Sequence, residues 1–128
     1  VTRKDLSRNQ VLNIVDESDR EVTVGWVAEQ LTVDPSVASR MVSDCIDAGY
    51  LRRVASQADG RRTVLELTAT GIAKLEQYRS QHRQAFVAIT QSWPVAKRLQ
   101  FARLLIEYAD ACVAMTNRAA DSHAPDAP

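Results

Sequence analysis

Residues 32–68 read TVDPSVASRMVSDCIDAGYLRRVASQADGRRTVLELT, and they carry a helix start, a helix stop and a hairpin in that order. Asp34 followed by Pro35 is a helix entry. An aspartate oxygen accepts from the unpaired N–H groups of a first turn, and proline at the first helical position gives up no bond, because its missing N–H would have no partner there. Ala38, Met41, Val42, Cys45 and Ile46 recur at spacings of three and four, which places them on one stripe. Gly49 suits the left-handed position that ends a helix. The spacing predicts a helix over 35–48. Leu51 to Ser56 and Thr63 to Leu67 alternate at the strand period, and Asp59-Gly60 between them is a turn signal, which predicts a hairpin over 51–67.

Upstream, Ser7 and Gln10 make an S-x-x-Q capping box with Leu6 and Val11 as a staple, so a helix is expected from Leu6–Ser7, with Val11, Leu12, Ile14 and Val15 on its apolar side. The polar turn DESDRE leads to Thr23, a cap for a short helix that buries Val24, Val27, Ala28 and Leu31, with Val22 and Val27 as a second staple. The tight turn LTVD joins it to the helix beginning at Pro35. Downstream, Thr68 caps a long helix to about Ser92, with Leu67 and Ile72 as a staple and Ile72, Leu75, Phe86 and Ile89 on one side. Pro94 then starts a last helix whose apolar face comprises Val95, Leu99, Ala102, Leu105, Ile106, Ala109 and Val113. This face is broad enough for more than one neighbour. From Arg118 the chain reads RAADSHAPDAP, with nothing to bury, and a disordered tail is expected over 116–128.

Short helices, a tight turn and a hairpin make the arrangement in which one helix enters a major groove and the hairpin reaches beside it. The expected fold is therefore mainly α (α+β): a winged helix-turn-helix with a two-stranded β-hairpin wing and two long C-terminal helices. The domains divide as 1–68, 69–115 and 116–128.

The 128 residues are 45% hydrophobic, enough for one core without staples. Sixteen Lys and Arg balance 16 Asp and Glu, so any attraction for a polyanion is local. Cys45 and Cys112 fit neither a zinc pattern nor a disulfide scaffold, which suits a reducing cytoplasm. No run approaches the roughly 20 apolar residues of a membrane span, and no secretory leader is recognised.

The helix over 35–48 turns Ser36, Ser39, Arg40, Ser43 and Asp47 away from its apolar stripe. Small hydroxyls let a helix approach a groove and bond base edges or phosphates, and Arg40 can fork onto guanine or bridge a phosphate. Asp44 and Asp47 would repel phosphate, so the N-terminal half of the helix is expected to dock. In the hairpin, Arg52, Arg53, Arg61 and Arg62 fall within eleven residues that contain one acid, Asp59. Asp59 can pair with one tip arginine and hold the loop while the other enters a narrow, negative minor groove. Arg61 is assigned to the groove and Arg62 to a phosphate or a structural pairing, with the reverse assignment also open to the sequence. The competing account is a solvated turn whose surface ion pair is worth about 0–1 kcal/mol.

LSRNQVLNIV and then VTVGWVAEQLTVDPSVASRMVSDCIDAGYLRRVASQADGRRTVLELTATG resemble the MarR family from its second helix onward. Asp59-Gly60-Arg61-Arg62 corresponds to the family's D-x-R-R wing signature, and Leu67-Thr68 with Gly71 to the L-T-x-x-G that opens its long fifth helix. Trp93-Pro94 matches the break before the sixth. The likeness runs from residue 6 to about 115, with the family's first helix absent or reduced to Val1 to Asp5. It implies a cytoplasmic homodimer paired through the terminal helices, reading a pseudo-palindromic site on double-stranded DNA, usually as a repressor. Two-fold symmetry would set the reading helices roughly 34 Å apart. The resemblance also implies release from DNA by a small aromatic or phenolic effector, or by oxidation of a cysteine on the family's first helix.

No residue is marked as ligand-binding. Arg79 and His82 interrupt the apolar side of the long helix, and Trp26 and Trp93 are candidates to line a cleft, but packing and solvation account for all four. His82, His123 and two distant cysteines make no metal site, and no cofactor is implied. The chain has no Gly-rich phosphate loop and no paired nucleophile and base, so no enzyme is expected. The alternative is a winged-helix protein–protein interaction module that no longer reads DNA.

Overall fold

A computed structural model describes residues 2–122, apart from the side chains of 116 and 119–122. The elements are α1 (Arg3–Glu17), α2 (Val24–Leu31), α3 (Pro35–Asp47), β1 (Leu51–Ala55), β2 (Thr63–Leu67), α4 (Ala69–Thr90) and α5 (Val95–Ser122). This is the expected winged helix-turn-helix with two long helices after it.

α1 starts five residues earlier than the Ser7 box predicts. Thr2 and Asp5 form the capping box instead: the Asp5 N–H donates to Thr2 Oγ1 at 3.1 Å, and the Thr2 N–H to Asp5 Oδ2 at 3.3 Å. The helix runs on through Ser7 to the farther cap, because once a turn has formed, adding residues to it is easy. Residues 3–5 are thus the first turn of α1. Leu6 stays exposed, so the Leu6–Val11 staple does not hold this end.

One core unites Val11 and Leu12 of α1, Val27 and Ala28 of α2, Ala38, Val42 and Cys45 of α3, Leu51, Leu65, Val22 and Leu75. Met41, Ile46, Tyr50 and Leu67 pack partly buried against it. β1 and β2 pair antiparallel from Leu51↔Leu67 to Ala55↔Thr63. Val22, expected only as a staple, also adds an isolated bridge to β2, with the Leu65 N–H donating to Val22 O at 2.8 Å.

The chain divides into two compact units after Arg83, inside α4, rather than at 68/69. Early α4 belongs with the winged module for a physical reason. Leu75 is buried, Lys74 lies 3.6 Å from Asp5, and Arg79 bonds Asp16 and Asn13 of α1 at 2.9 and 2.8 Å. In the second unit Phe101 stacks on Phe86 and meets the edge of Trp93, at centroid separations of 5.9 and 5.6 Å. Thr90, buried, donates to Phe86 O at 2.8 Å.

The apolar stripes of the long helices are not covered in the single chain. Ile72 and Ile89 on α4 and Val95, Leu99, Leu105, Ile106 and Val113 on α5 are all exposed. α5 also runs to Ser122, beyond the expected limit of 115, since Arg118, Ala119 and Ala120 are good helix formers and the next proline after Pro94 is Pro125. The rest of the expected tail, 123–128, lies outside the described residues. No helix among the described residues is long and apolar enough to cross a membrane.

Candidate nucleic-acid interface

α2 meets α3 through a turn in which Thr32 adopts the left-handed conformation, at φ 54°. The Val33 N–H donates to Ala28 O at 3.1 Å, closing the end of α2. Asp34 is the N-cap of α3 as expected, but its side chain makes no capping bond. Pro35 and the backbone acceptor Asp34 O, which receives from Val37 and Ala38, start the helix. With Ala38, Val42 and Cys45 buried, α3 leaves Ser36, Ser39, Arg40 and Asp47 exposed and Ser43 half-buried.

Asp44 differs from its sequence expectation. Its carboxylate is held by α1: Arg8 donates from Nε to Oδ2 at 2.7 Å and from Nη2 to Oδ1 at 3.3 Å, and Lys4 Nζ lies 3.3 Å from Oδ1. The Arg8 bonds hold the Asp44 carboxyl below the usual carboxylate range. A fork of two charge-assisted bonds also fixes α1 against α3. The acid is neutralised and does not act as a free repeller of phosphate. Asp47 remains exposed.

At the wing tip Asp59 pairs with Arg61 rather than Arg62. Asp59 Oδ1 accepts from the Arg61 N–H at 3.1 Å and from Arg61 Nε at 3.3 Å, while the Arg61 side chain stays 93% exposed. The backbone of Arg62 is tied on both sides: its N–H donates to Asp59 O and its carbonyl accepts from Ser56, both at 2.9 Å. Its side chain makes no ion pair among the described residues. Arg52 is neutralised by Glu66 at 2.5 Å, directly across the strand pair. That partner falls outside the eleven-residue window, although pairing 51 with 67 on paper would have found it. Arg40 and Arg53 are exposed and without an ion pair among the described residues.

One residue that the sequence reading missed organises the tip. Glu21 Oε2 accepts from Ser56 Oγ at 2.5 Å and Oε1 from the Gln57 N–H at 2.7 Å. These bonds hold the Glu21 carboxyl below its ordinary range. Ser56, buried, accepts in turn from the N–H groups of Ala58 and Asp59, each at 3.1 Å. Glu21 sat unremarked in DESDRE. Its one signal was its place beside Val22, the residue that bridges to β2.

The wing is joined to α4 at close quarters. Thr68 Oγ1 donates to Gly49 O at 2.6 Å and accepts from the Gly71 N–H at 3.0 Å, and the Thr68 N–H donates to Tyr50 O at 3.0 Å. A Cβ on Gly71 would lie 2.0 Å from Tyr50 O, so only glycine fits the L-T-x-x-G junction. Gly49, at φ 83°, takes the expected left-handed position.

The other candidates do not assemble into a second site. Arg79 is engaged by Asp16 and Asn13, His82 is hydrogen-bonded to Tyr78 OH at 2.7 Å, and the guanidinium of Arg20 covers the Trp26 ring at 3.4 Å. Burial pushes the Cys45 thiol up to about 12, away from the reactive thiolate. Cys112 lies exposed on α5. A cavity of about 160 Å³ between α1 and α4 is lined by Asp5, Asn9, Lys74, Gln77, Tyr78 and Gln81. Its lining is polar, with one aromatic ring. No metal-binding group of His, Cys, Asp and Glu occurs among the described residues, and His123 lies outside them.

An α2–turn–α3 unit followed by a short hairpin, with the exposed side of α3 and the hairpin tip carrying the free polar and basic groups, defines a winged helix-turn-helix protein. A model of the MarR family matches residues 6–62, and over that stretch the chain is similar to the family. The chain is similar in fold to a MarR family protein from Bacillus stearothermophilus, at TM-score 0.72 and 16% identity over 88% of this chain and 76% of that one. It is also similar to a variant of S. aureus MepR bound to an oligodeoxyribonucleotide, at 0.60 and 16% over 83% and 78%. A third is CouR from Rhodococcus jostii RHA1 bound to p-coumaroyl-CoA, at 0.60 and 20% over 80% and 72%. No curated protein matches the chain.

Proposed function

We propose that this protein is a transcription regulator, a cytoplasmic repressor that binds a pseudo-palindromic site on duplex DNA as a homodimer and leaves it when a small ligand binds. The observation that carries the DNA reading is the exposed set Ser36, Ser39 and Arg40 on the first half of α3, followed by a wing whose tip presents Arg61 and Arg62. Ser36, Ser39, Arg40 and Ser43 take the major groove, and Arg61 and Arg62 take the minor groove or its phosphates, with Asp59 shaping the loop. The MepR variant seen with an oligodeoxyribonucleotide supports this use of the fold.

The dimer is supported by the uncovered apolar side chains of α5, Leu99, Leu105, Ile106 and Val113 among them, because a run of this length at the helical period has a large area to remove from water. CouR with p-coumaroyl-CoA supports an acyl or phenolic effector class, although the polar lining of the α1–α4 cavity does not itself select an aromatic one.

Selection of bound duplexes from a random pool tests the reading. The expected product is a pseudo-palindrome with half-sites about 10 base pairs apart. Failure to enrich any sequence at low salt would favour the protein-interaction module instead. The neutralisation of Asp44 removes one argument for that module, since the acid no longer weighs against DNA.

A further inference from the structure

The carboxylate of Glu21 is no part of the proposed DNA contacts, yet its two bonds go to the loop that carries the tip arginines. We propose that Glu21 is a positioning residue for DNA binding, the latch that fixes the wing loop and through it aims Arg61 and Arg62. The proposal rests on the DNA-binding reading for its consequence, but the latch itself does not.

The geometry requires an acceptor at this place. The Ser56 hydroxyl accepts from Ala58 and Asp59, which leaves its own hydrogen to donate, and Ser56 is 6% exposed, so water has little access to serve as the partner. One carboxylate oxygen takes that hydrogen, and the other takes the Gln57 N–H. Glu21 therefore touches residues 56 and 57 directly and residues 58 and 59 through Ser56. Asp59 then holds Arg61 by two bonds and Arg62 by one. Two backbone bonds, from the Arg62 N–H to Asp59 O and from the Ser56 N–H to Arg62 O, close the loop that Glu21 holds at 56 and 57.

The base of the latch is rigid. Val22, the next residue, bridges to Leu65 on β2, so Glu21 projects from a fixed rung beside the hairpin rather than from a loose loop. Glu21 also lies close enough to Arg62 for that charge to favour its ionised form. The wing is thus held at its root by a strand contact and at its tip by a side chain from outside the hairpin.

The test uses the full chain in five forms: wild type, Glu21→Ala, Glu21→Gln as the conservative substitution, Arg61→Ala and the double variant Glu21→Ala/Arg61→Ala. Binding is measured to a 30-base-pair duplex selected by the wild type, and amide exchange is followed by NMR without DNA. Loss of the latch is expected to weaken binding about tenfold, with Glu21→Gln in between, because its single oxygen keeps one bond. The double variant is expected to bind within about twofold of Arg61→Ala, since the two substitutions remove one function. Gln57 and Asp59 amides should exchange at least about tenfold faster in Glu21→Ala, while Leu65 is unchanged.

Wild-type affinity in Glu21→Ala, or losses that add fully in the double variant, would overturn the positioning role. Unchanged exchange at Gln57 and Asp59, or equal acceleration at Leu65, would overturn the latch. If no duplex is selected by the wild type, the DNA reading fails, and the exchange data still decide whether the latch exists.

Discussion

Arg8 and Asp44 meet as a fork, Nε to Oδ2 at 2.7 Å and Nη2 to Oδ1 at 3.3 Å, and this joins the first helix to the reading helix. Replacing Arg8 by Met leaves Asp44 with only the exposed Lys4. The expected result is a loss of about 1–2 kcal/mol in urea unfolding at pH 7, together with weaker DNA binding from the uncovered carboxylate. Because the Asp44 carboxyl is held below its ordinary 3.8 in the folded chain, its contribution is complete above that value and disappears as the pH falls through the lowered one. Unfolding curves of the wild type and Asp44→Asn should therefore differ near neutrality and converge at the acid end. Parallel curves across the whole range would refute the linkage.

Gly71→Ala is expected to destabilise the chain by about 1–3 kcal/mol, because the added methyl meets a backbone carbonyl that cannot swing aside. The 2.0 Å approach to Tyr50 O forces either α4 or the β1 entry to move. Calorimetric melting would read this as a lower Tm. Ala at Gly60, where nothing lies within 4 Å, serves as the control and should melt like the wild type.

Thr32 makes the opposite prediction. A β-branched residue at φ 54° is strained, and Thr32→Gly should relieve that strain by more than glycine adds to the freedom of the unfolded chain, a net gain of about 0.5–1 kcal/mol. A variant that melts below the wild type would show that the Thr32 side chain contributes something its conformation does not reveal.

The arginines should separate by salt dependence. Arg40→Ala and Arg61→Ala are each expected to lower the slope of log affinity against log salt by about one phosphate contact, since the 3.3 Å contact with Asp59 leaves the Arg61 side chain 93% exposed. Arg52→Ala should change it less, since Glu66 already neutralises that charge. Equal slopes for all three variants would mean that the internal pairs open on binding.

Much of this was legible beforehand, where short-range rules decide. Thr23, Pro35, Gly49 and Thr68 act within a turn or two of themselves, and each stands where its local chemistry requires. Asp44 was misjudged because its partner lies 36 positions away on α1, beyond any periodicity argument. Arg61 was expected to be the unpaired arginine, but the Asx-type turn at Asp59 draws in the nearer one along the chain. The stripes on α4 and α5 were read correctly as apolar, yet periodicity cannot say what covers them. Ser7 failed for another reason: Thr2 and Asp5 offered a rival start, and two valid local signals compete without any local way to rank them.

Ser56 has a consequence for change over time. Its hydroxyl, its N–H and the two amides bonded to it define a loop in which residues 56 to 62 have a single admissible length. An insertion or deletion there would break several bonds at once. A descendant of this protein could acquire a new DNA preference by exchanging side chains at 60, 61 and 62, but not by growing a longer wing; the hairpin is a holder with interchangeable fittings.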